Sequence, residues 1–223
     1  MKNRLKWTAL FLALLVLSLR SSGESRGRSV HAEGSLTTYL PCIMNACLNK
    51  IPFQPAADAN KEAETLRQIN MQRAANGGLA PLTMKDSLVQ IARFHSFDMA
   101  AHNLTSHNGS AGETPWTRYS WLCDTFGMEG EIIAWGFGGD VGRVVDAWMN
   151  SPGHRAIILT PGYTMAGAGY ADQSSSYWTS YWTVDFASPY PQDGLNVLAA
   201  HPRACTTETS ATAEGGISVT VCR

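Results

Sequence analysis

The residues best suited to chemistry are two histidines and a glutamate that lie far apart along the chain. His154 follows the run from Trp148 to Pro152, while His107 and Glu131 lie upstream in sequence typical of loops. More than twenty residues separate each from the next, so no single helix or hairpin can bring them together. Two neutral imidazoles and one carboxylate suit a zinc ion that keeps one coordination position for water. A shared site therefore depends on the tertiary fold.

Composition and motifs narrow the function. The chain has no Cys-x-x-Cys pair and no His-Glu-x-x-His helix, which removes the simplest metal-site interpretations. Its net charge is -1 over 223 residues, with no basic block after the N-terminus. A protein built to neutralise phosphates is therefore disfavoured, and we expect no nucleic-acid partner.

The first residues resemble an export signal. Basic residues precede an apolar run at 7–19, and a polar Ser/Gly/Arg-rich stretch follows. The run is shorter than the roughly 20 apolar residues of a membrane span. An uncleaved N-terminal anchor is the alternative. We predict a secreted or envelope-associated protein with a signal or anchor at 1–23, a linker at 24–58, a folded domain at 59–187 and a C-terminal extension at 188–223.

Five cysteines follow the export segment, and an odd number leaves one over where thiols can oxidise. Cys205 and Cys222 are the most natural pair, and closing their loop would contribute about 3 kcal/mol. Cys42 and Cys47 would close a much smaller loop. Cys123 is then unpaired. We expect its side chain to be buried and to pack as a small apolar residue, and the alternative is that its thiol is a nucleophile.

Helical periodicity dominates the first half of the domain. The spacing predicts a helix at 61–75 capped by Asn60, and a second at 84–101 capped by Thr83. His95 lies on the apolar stripe of the second helix, where we expect a core histidine satisfied by a hydrogen bond. Residues 103–130 are irregular but rich in aromatics, and we expect them to form a wall of a cleft.

The second half of the domain mixes one helix with strands. Asp140 caps an amphipathic helix that Pro152 ends. Strands follow at 164–171, where Gly167 and Gly169 permit close approach, and at 177–186, with one face buried and one partly wet. Because the predicted helices come first along the domain and the antiparallel hairpin comes last, we predict an α+β domain.

Several ordered motifs together resemble the CAP superfamily, the SCP or antigen 5/pathogenesis-related-1 type domain, in its bacterial secreted form. They cover about residues 60–186 and comprise Asn70 with Arg73, the segment His95 to Ala100, Ser106-His107, Gly130-Glu131, and Trp148 to Arg155. The resemblance implies a three-layer α-β-α sandwich with a mainly antiparallel sheet.

The same resemblance implies a cleft lined by two histidines and two glutamates that can hold zinc through the histidines. His107, Glu131 and His154 match three of these positions, but Ser151 stands where the second glutamate is expected. The ligand cleft is therefore predicted to contain His107, Glu131, Ser151 and His154, with His107 and His154 as candidate metal ligands.

Two functions from different classes follow. The first is non-enzymatic binding of an extracellular ligand, which could be a lipid, an envelope component or a protein. The second is a zinc-dependent hydrolase in which Glu131 is a ligand or the catalytic base. The missing second glutamate favours binding. A purely structural cluster, with Glu131 and His154 stabilising loops and a helix end, is a further alternative.

Overall fold

The computed structural model describes residues 50–53, 55–190, 205–212 and 214–222, with only the backbone at 205, 206, 221 and 222. The predicted export segment and Cys42 and Cys47 lie outside these residues. No helix in the described part of the chain is long and apolar enough to cross a membrane.

Helices and strands alternate through the described chain. The helices are α1 (Ala59–Ala75), α2 (Asp86–His102), α3 (Pro115–Ser120), α4 (Val141–Asn150) and α5 (Pro152–Ile158). The strands are β1 (Thr83–Met84), β2 (Phe126–Gly136), β3 (Met165–Asp172), β4 (Ser180–Pro189), β5 (Cys205–Thr212) and β6 (Gly215–Cys222).

The six strands of the described residues form one sheet in the order β1-β3-β4-β2-β6-β5. Only the short β1–β3 pair is parallel, and the other pairs are antiparallel. The predicted α+β class with a mainly antiparallel sheet is confirmed, although the sheet is mixed.

Helices cover both faces of this sheet. Ile132 and Ala134 of β2 pack in one cluster with residues of α1, α4 and α5. Ile133 and Trp135, which alternate with them, pack instead with Met99 and neighbouring residues of α2. Because successive strand residues point to opposite faces, the sheet is the middle layer of an α-β-α sandwich, as expected.

Two predicted helix caps were wrong. Asp58, rather than Asn60, caps α1, and its side chain accepts a hydrogen bond from the backbone of Lys61. Thr83 belongs to β1, because its backbone pairs with β3 and so is withdrawn from the helix. The predicted Asp140 cap of α4 is confirmed by its bond from Arg143 N.

Strand β4 differs from the half-wet strand that its alternation predicted. Its residues from Ser180 to Ser188 are all buried, and only Pro189 at the end is exposed. The physical reason is its position, since β4 lies between β3 and β2 with helices over both faces of the sheet. Polar side chains such as Thr183 and Asp185 therefore have no access to solvent.

The chain after residue 204 adds two strands to the same sheet. Strand β6 pairs with β2 from Glu129 to Gly136, and β5 pairs with β6 on the outside. In this hairpin Cys205 lies opposite Cys222, a register compatible with the predicted pair.

Cys123 differs from its prediction. It is exposed and disulfide-bonded, where the sequence predicted a buried free thiol. The prediction failed because cysteine pairing depends on which loops meet in space, and spacing along the chain carries no such information.

Candidate functional site

Glu131 lies in the middle of strand β2, although its sequence context predicted a loop. Its neighbours Ile132 and Ile133 are fully buried, one in each core cluster. A strand covered on both faces shows a continuous apolar run without alternation, which is why the pattern was missed. The carboxylate of Glu131 is therefore completely enclosed on the face of the sheet that carries α2 and α3.

Two side chains bind this carboxylate. His107 Nδ1 donates to Glu131 Oε1 at 2.5 Å, and Arg118 Nη2 donates to Glu131 Oε2 at 2.6 Å. The same guanidinium donates to the carbonyl oxygen of His107 at 2.9 Å. Both oxygens of Glu131 are thus engaged, and the three residues form one buried network.

Local structure places Arg118 over the sheet. Helix α3 begins at Pro115, and Thr114 caps it by accepting a hydrogen bond from the backbone of Thr117. This one-turn helix folds the irregular aromatic stretch down onto β2. Trp116 and Tyr119 line the space next to Glu131, in agreement with the expectation that these aromatics form a wall beside the site.

Charge pairing keeps Glu131 ionised. Burial alone would raise its pKa, but Arg118 and the hydrogen bond from His107 outweigh burial and hold the pKa well below its usual value. The guanidinium of Arg118 is also completely buried. A carboxylate with so low a pKa and both oxygens occupied is a poor proton acceptor.

His154 comes from the opposite side of the sheet. It lies on α5, whose Ile157 and Ile158 pack in the cluster that also contains Ile132. Its Nδ1 shares a hydrogen bond of 2.8 Å with the hydroxyl of Ser151, the residue that precedes α5. The pKa of His154 is lowered to about 4, mainly by burial and to a smaller extent by the nearby His107. The backbone of Ser218 acts in the opposite direction and raises this pKa. The imidazole is therefore neutral at pH 7.

The structure joins two of the three predicted residues and places the third near them. His107 and Glu131 are in direct contact. His154 lies close enough for His107 to affect its pKa, without a shared hydrogen bond. Strand β6 contributes to both sides, because Thr220 lines the space beside Glu131 and the backbone of Ser218 faces His154.

Each histidine has one ring nitrogen without a protein partner. His107 Nε2 and His154 Nε2 are both buried and make no hydrogen bond of normal geometry, although the backbone of Ser218 lies close to the His154 ring. These are the atoms through which neutral imidazoles bind metals. Across the described residues, however, no group of three or more His, Cys, Asp or Glu side chains is arranged to hold a metal. The donor set for zinc is therefore limited to the two imidazoles. Glu131 orients His107 by accepting a hydrogen bond from its other ring nitrogen, Nδ1.

Sequence reasoning missed two members of the network. Arg118 was assigned no role, because a single arginine in an aromatic loop resembles a solvated charge. Asp185 lies directly opposite Glu131 on β4 and is fully buried. Burial, followed by the neighbouring Glu131 carboxylate, raises the pKa of Asp185 well above its usual value, opposite to the change at Glu131. The signal that could have identified Asp185 was its position as an acidic residue within a largely apolar strand.

His95 agrees with its predicted role. It is completely buried on α2, and its Nε2 lies 3.0 Å from the carbonyl oxygen of Ser106. Burial, with a contribution from Arg118, lowers its pKa to about 3. His95 therefore stays neutral and holds the segment that precedes His107.

One cavity lies against Glu131, and a second lies beside Ser151, the hydrogen-bond partner of His154. The first has a volume of about 10 Å³ and lies against Trp116, Tyr119, Glu131 and Thr220. Only about one water molecule fits such a volume. The second has a volume of about 360 Å³ and lies between the α4–α5 junction and the C-terminal hairpin, where Ser151, Pro152, Ser210 and Ile217 are among its lining residues.

The fold and the buried His107–Glu131 pair define a three-layer domain with a polar site on the face of β2 that carries α2, next to β6. A model of the cysteine-rich secretory protein family, CAP, matches residues 66–186. The match spans more than half of the 223 residues. The chain belongs to the CAP family.

Relatives of this chain include two proteins of Bacillus subtilis. The uncharacterized protein YkwD is 34% identical over 131 residues, which are 59% of this chain and 50% of that protein. The uncharacterized membrane protein YlbC is 32% identical over 108 residues, which are 48% of this chain and 31% of that protein. The chain thus spans half of these relatives' length or less.

A solved structure has the same fold. An outer surface protein from Borrelia burgdorferi superposes with a TM-score of 0.53 at 22% identity. The similarity covers 61% of this chain and 99% of that one. At this identity the match supports the architecture alone.

Proposed function

We propose that this CAP domain is an exported binding protein rather than an enzyme, and that its ligand binds at the His107–Glu131 network and the adjoining edge of β2. The observation that carries the proposal is the state of Glu131. Arg118 and His107 occupy its two oxygens. The carboxylate is therefore neither a free base nor an available third metal ligand, and the hydrolase hypothesis lacks its central group.

The dimensions of the site favour a protein ligand over a lipid. The enclosed space at Glu131, about 10 Å³, has no room for an acyl chain. The larger groove of about 360 Å³ lies on the α4 and α5 side of the sheet, beside Ser151, and is lined by hydroxyl, amide and glycine groups as well as apolar side chains. Such a mixed surface suits a polypeptide segment, whose backbone needs polar partners along its length.

Zinc binding is the second candidate, and one observation favours it. His107 Nε2 and His154 Nε2 are buried nitrogens without protein partners, and burial of unpaired polar atoms is costly unless a ligand satisfies them. These two residues would hold the metal. When bound, zinc would supply a Lewis acid for a water molecule or a ligand atom. Glu131 would keep His107 oriented.

The first experiment measures metal binding directly. Purified protein is analysed for zinc and then melted with and without added zinc, using wild type, His107→Ala, His154→Ala and the exposed-site control His102→Ala. If zinc is a ligand, stoichiometric metal and a raised Tm are expected in wild type and in the control only. Wild-type protein without zinc and without a Tm shift contradicts this second candidate.

A second experiment tests the absence of catalysis. Wild-type protein, with and without zinc, is assayed on general peptide and ester substrates. We expect no turnover above the buffer rate. Turnover that disappears in His154→Ala, at an unchanged melting temperature, would overturn the proposal of a binding protein.

A further inference from the structure

The C-terminal hairpin, residues 205–222, covers the site from outside. Strand β6 pairs with β2 along eight positions and places Thr220 opposite Glu131 and Ser218 opposite Ile133. Thr220 then closes the small space beside Glu131. Any ligand of more than a few atoms that approaches the network from this edge meets β6 first.

Through β6 the hairpin pairs with β2, and at its turn Glu214 accepts a hydrogen bond from Phe137 N and pairs with the exposed Arg143 side chain. Strand β5 pairs only with β6, and its described side chains from Thr207 to Thr212 are all exposed. Ile217 and Val219 are the members of the large core cluster that the hairpin contributes among its described side chains. At about 1.5–3 kcal/mol for each buried aliphatic side chain, the hairpin as a unit is held less extensively than β4, which pairs with both β2 and β3 and contributes Trp182, Val184 and Phe186 to the same cluster.

The contact is nevertheless shaped to fit. A Cβ on Gly216 would lie 2.2 Å from the indole ring of Trp135, so only glycine allows β6 to approach β2 at this point. The hairpin therefore fits this side of β2 specifically. Its position depends on Gly216, which lies outside the His107–Glu131 network.

Removal of β6 would leave β2 with a row of unpaired backbone N–H and C=O groups beside both histidines. An exposed strand edge binds extended polypeptide by backbone pairing, and side-chain pockets then select the sequence. The residues from Ile217 to Thr220 show what the edge accepts, with aliphatic side chains toward α5 and small hydroxyl side chains toward Glu131.

We propose that the β5–β6 hairpin is a releasable cover that occupies a strand-accepting site, and that the ligand that replaces it is an extended polypeptide segment alternating aliphatic and small hydroxyl residues. This inference rests on the proposed binding function and specifies its ligand and its regulation. The hairpin competes with the ligand for β2, so binding requires that β6 leave the edge.

Hydrogen exchange tests the cover in the intact chain. The backbone amides of β6 are expected to exchange at least about tenfold faster than those of β4, because the hairpin opens without global unfolding. Gly216→Val, which forces a side chain against Trp135, should accelerate exchange in β6 and leave β3 and β4 unchanged. Ala211→Val, on exposed β5 opposite Gly216, is the matched control and should behave as wild type. Equal protection of β6 and β4, or acceleration of every strand in Gly216→Val, overturns the cover.

Peptide binding tests the ligand separately. A fluorescent peptide with the sequence of residues 215–221 is titrated into wild type, Gly216→Val and Ala211→Val, and anisotropy is measured. Binding at least about tenfold tighter to Gly216→Val is expected, because the competing strand is displaced. The same peptide with serine at the positions of Ile217 and Val219 should not bind.

The two experiments separate the proposals. Rapid exchange of β6 without peptide binding to Gly216→Val overturns the polypeptide as ligand and with it the proposed protein-binding function. Slow exchange of β6 overturns only the cover, and the binding function is then judged by the metal and turnover experiments.

Discussion

Arg118 decides the chemistry of Glu131. A buried carboxylate beside a second carboxyl group, Asp185, would take up a proton if no cation were present. The guanidinium holds the pKa of Glu131 low, while burial and the neighbouring Glu131 raise the pKa of Asp185. Both oxygens of Glu131 are therefore engaged by side chains, and the imidazole nitrogens that remain for a ligand are the Nε2 atoms of His107 and His154.

Replacing Arg118 should destabilise the domain strongly. In Arg118→Ala the charge of Glu131 stays buried without its partner, and we expect a loss of about 3–5 kcal/mol in the free energy of unfolding, measured by urea denaturation. Arg67→Ala is the matched control, because Arg67 pairs with Glu64 on the surface. Its cost should be below about 1 kcal/mol. Equal costs for the two variants would show that the buried pair is not a structural requirement.

The buried histidine His95 should make stability depend on acid. Its folded pKa is about 3 and its ordinary value is 6.5, so between these pH values the unfolded chain binds the extra proton. Stability then rises with pH across the window and is lost on acidification, with a slope of at most about 1.4 kcal/mol per pH unit from this residue. In His95→Gln the slope measured by urea denaturation at several pH values should decrease. The exposed control His102→Gln should leave it unchanged, and an unaltered slope in His95→Gln contradicts the assignment.

At the level of secondary structure, strand β2 and helix α2 position the site. The alternation of β2 sends Glu131 toward α2 and Ile132 toward α4 and α5. Helix α2 lies directly against β3, because Gly167 and Gly169 present no side chain to it. This close contact brings His95, and through it the loop of His107, down to the sheet.

A single methyl group should disturb that contact. In Gly167→Ala the new Cβ would lie 2.2 Å from backbone atoms of Leu88 and Val89, and backbone cannot move aside as a flexible side chain can. We expect a loss of about 3 kcal/mol or more, measured by urea denaturation. Gly142→Ala on α4 is the control, because its Cβ meets only side-chain atoms at 3.3 Å or more. Its effect should stay within about 1 kcal/mol, with helix propensity in its favour.

At the scale of the whole molecule, the C-terminal residues are part of the sheet that carries the site. The sequence marked 188–223 as an extension, and β5 and β6 extend the sheet beyond β2. If the hairpin is released as we propose, a disulfide within it bears on access to the site. Its two cysteines lie opposite each other, so a bond between them would keep the hairpin intact when it leaves β2.

Mass mapping of disulfides checks this arrangement. Digestion without reduction should release a cross-linked peptide containing Cys205 and Cys222. Because Cys123 is itself disulfide-bonded, its partner would then be Cys42 or Cys47, with the other of these two left free. A bond from Cys123 to Cys205 or Cys222 would contradict the hairpin pair and would also tie the cover to the domain.

Local sequence determined the longer helices and much of the fold class, whereas α3 formed in a stretch that was predicted to be irregular. Asp140, the apolar spacing of α4 and Pro152 act within a few residues of one another, so their physics is readable along the chain. The candidate residues His107, Glu131, Ser151 and His154 could be named from the family pattern. Their contacts could not, because hydrogen bonds between residues more than twenty positions apart depend on how strands register.

Only the tertiary structure decided the state of the site. Arg118 and Asp185 are ordinary charges in sequence, and become a buried cation and a buried acid with a raised pKa because α3 and β4 enclose them. Burial on both faces also removed the alternation by which strand β2 would have been recognised. The position of the β5–β6 hairpin has the same origin, since strand pairing joins β6 to β2, roughly 80 to 90 residues earlier in the chain, and no local signal specifies that choice.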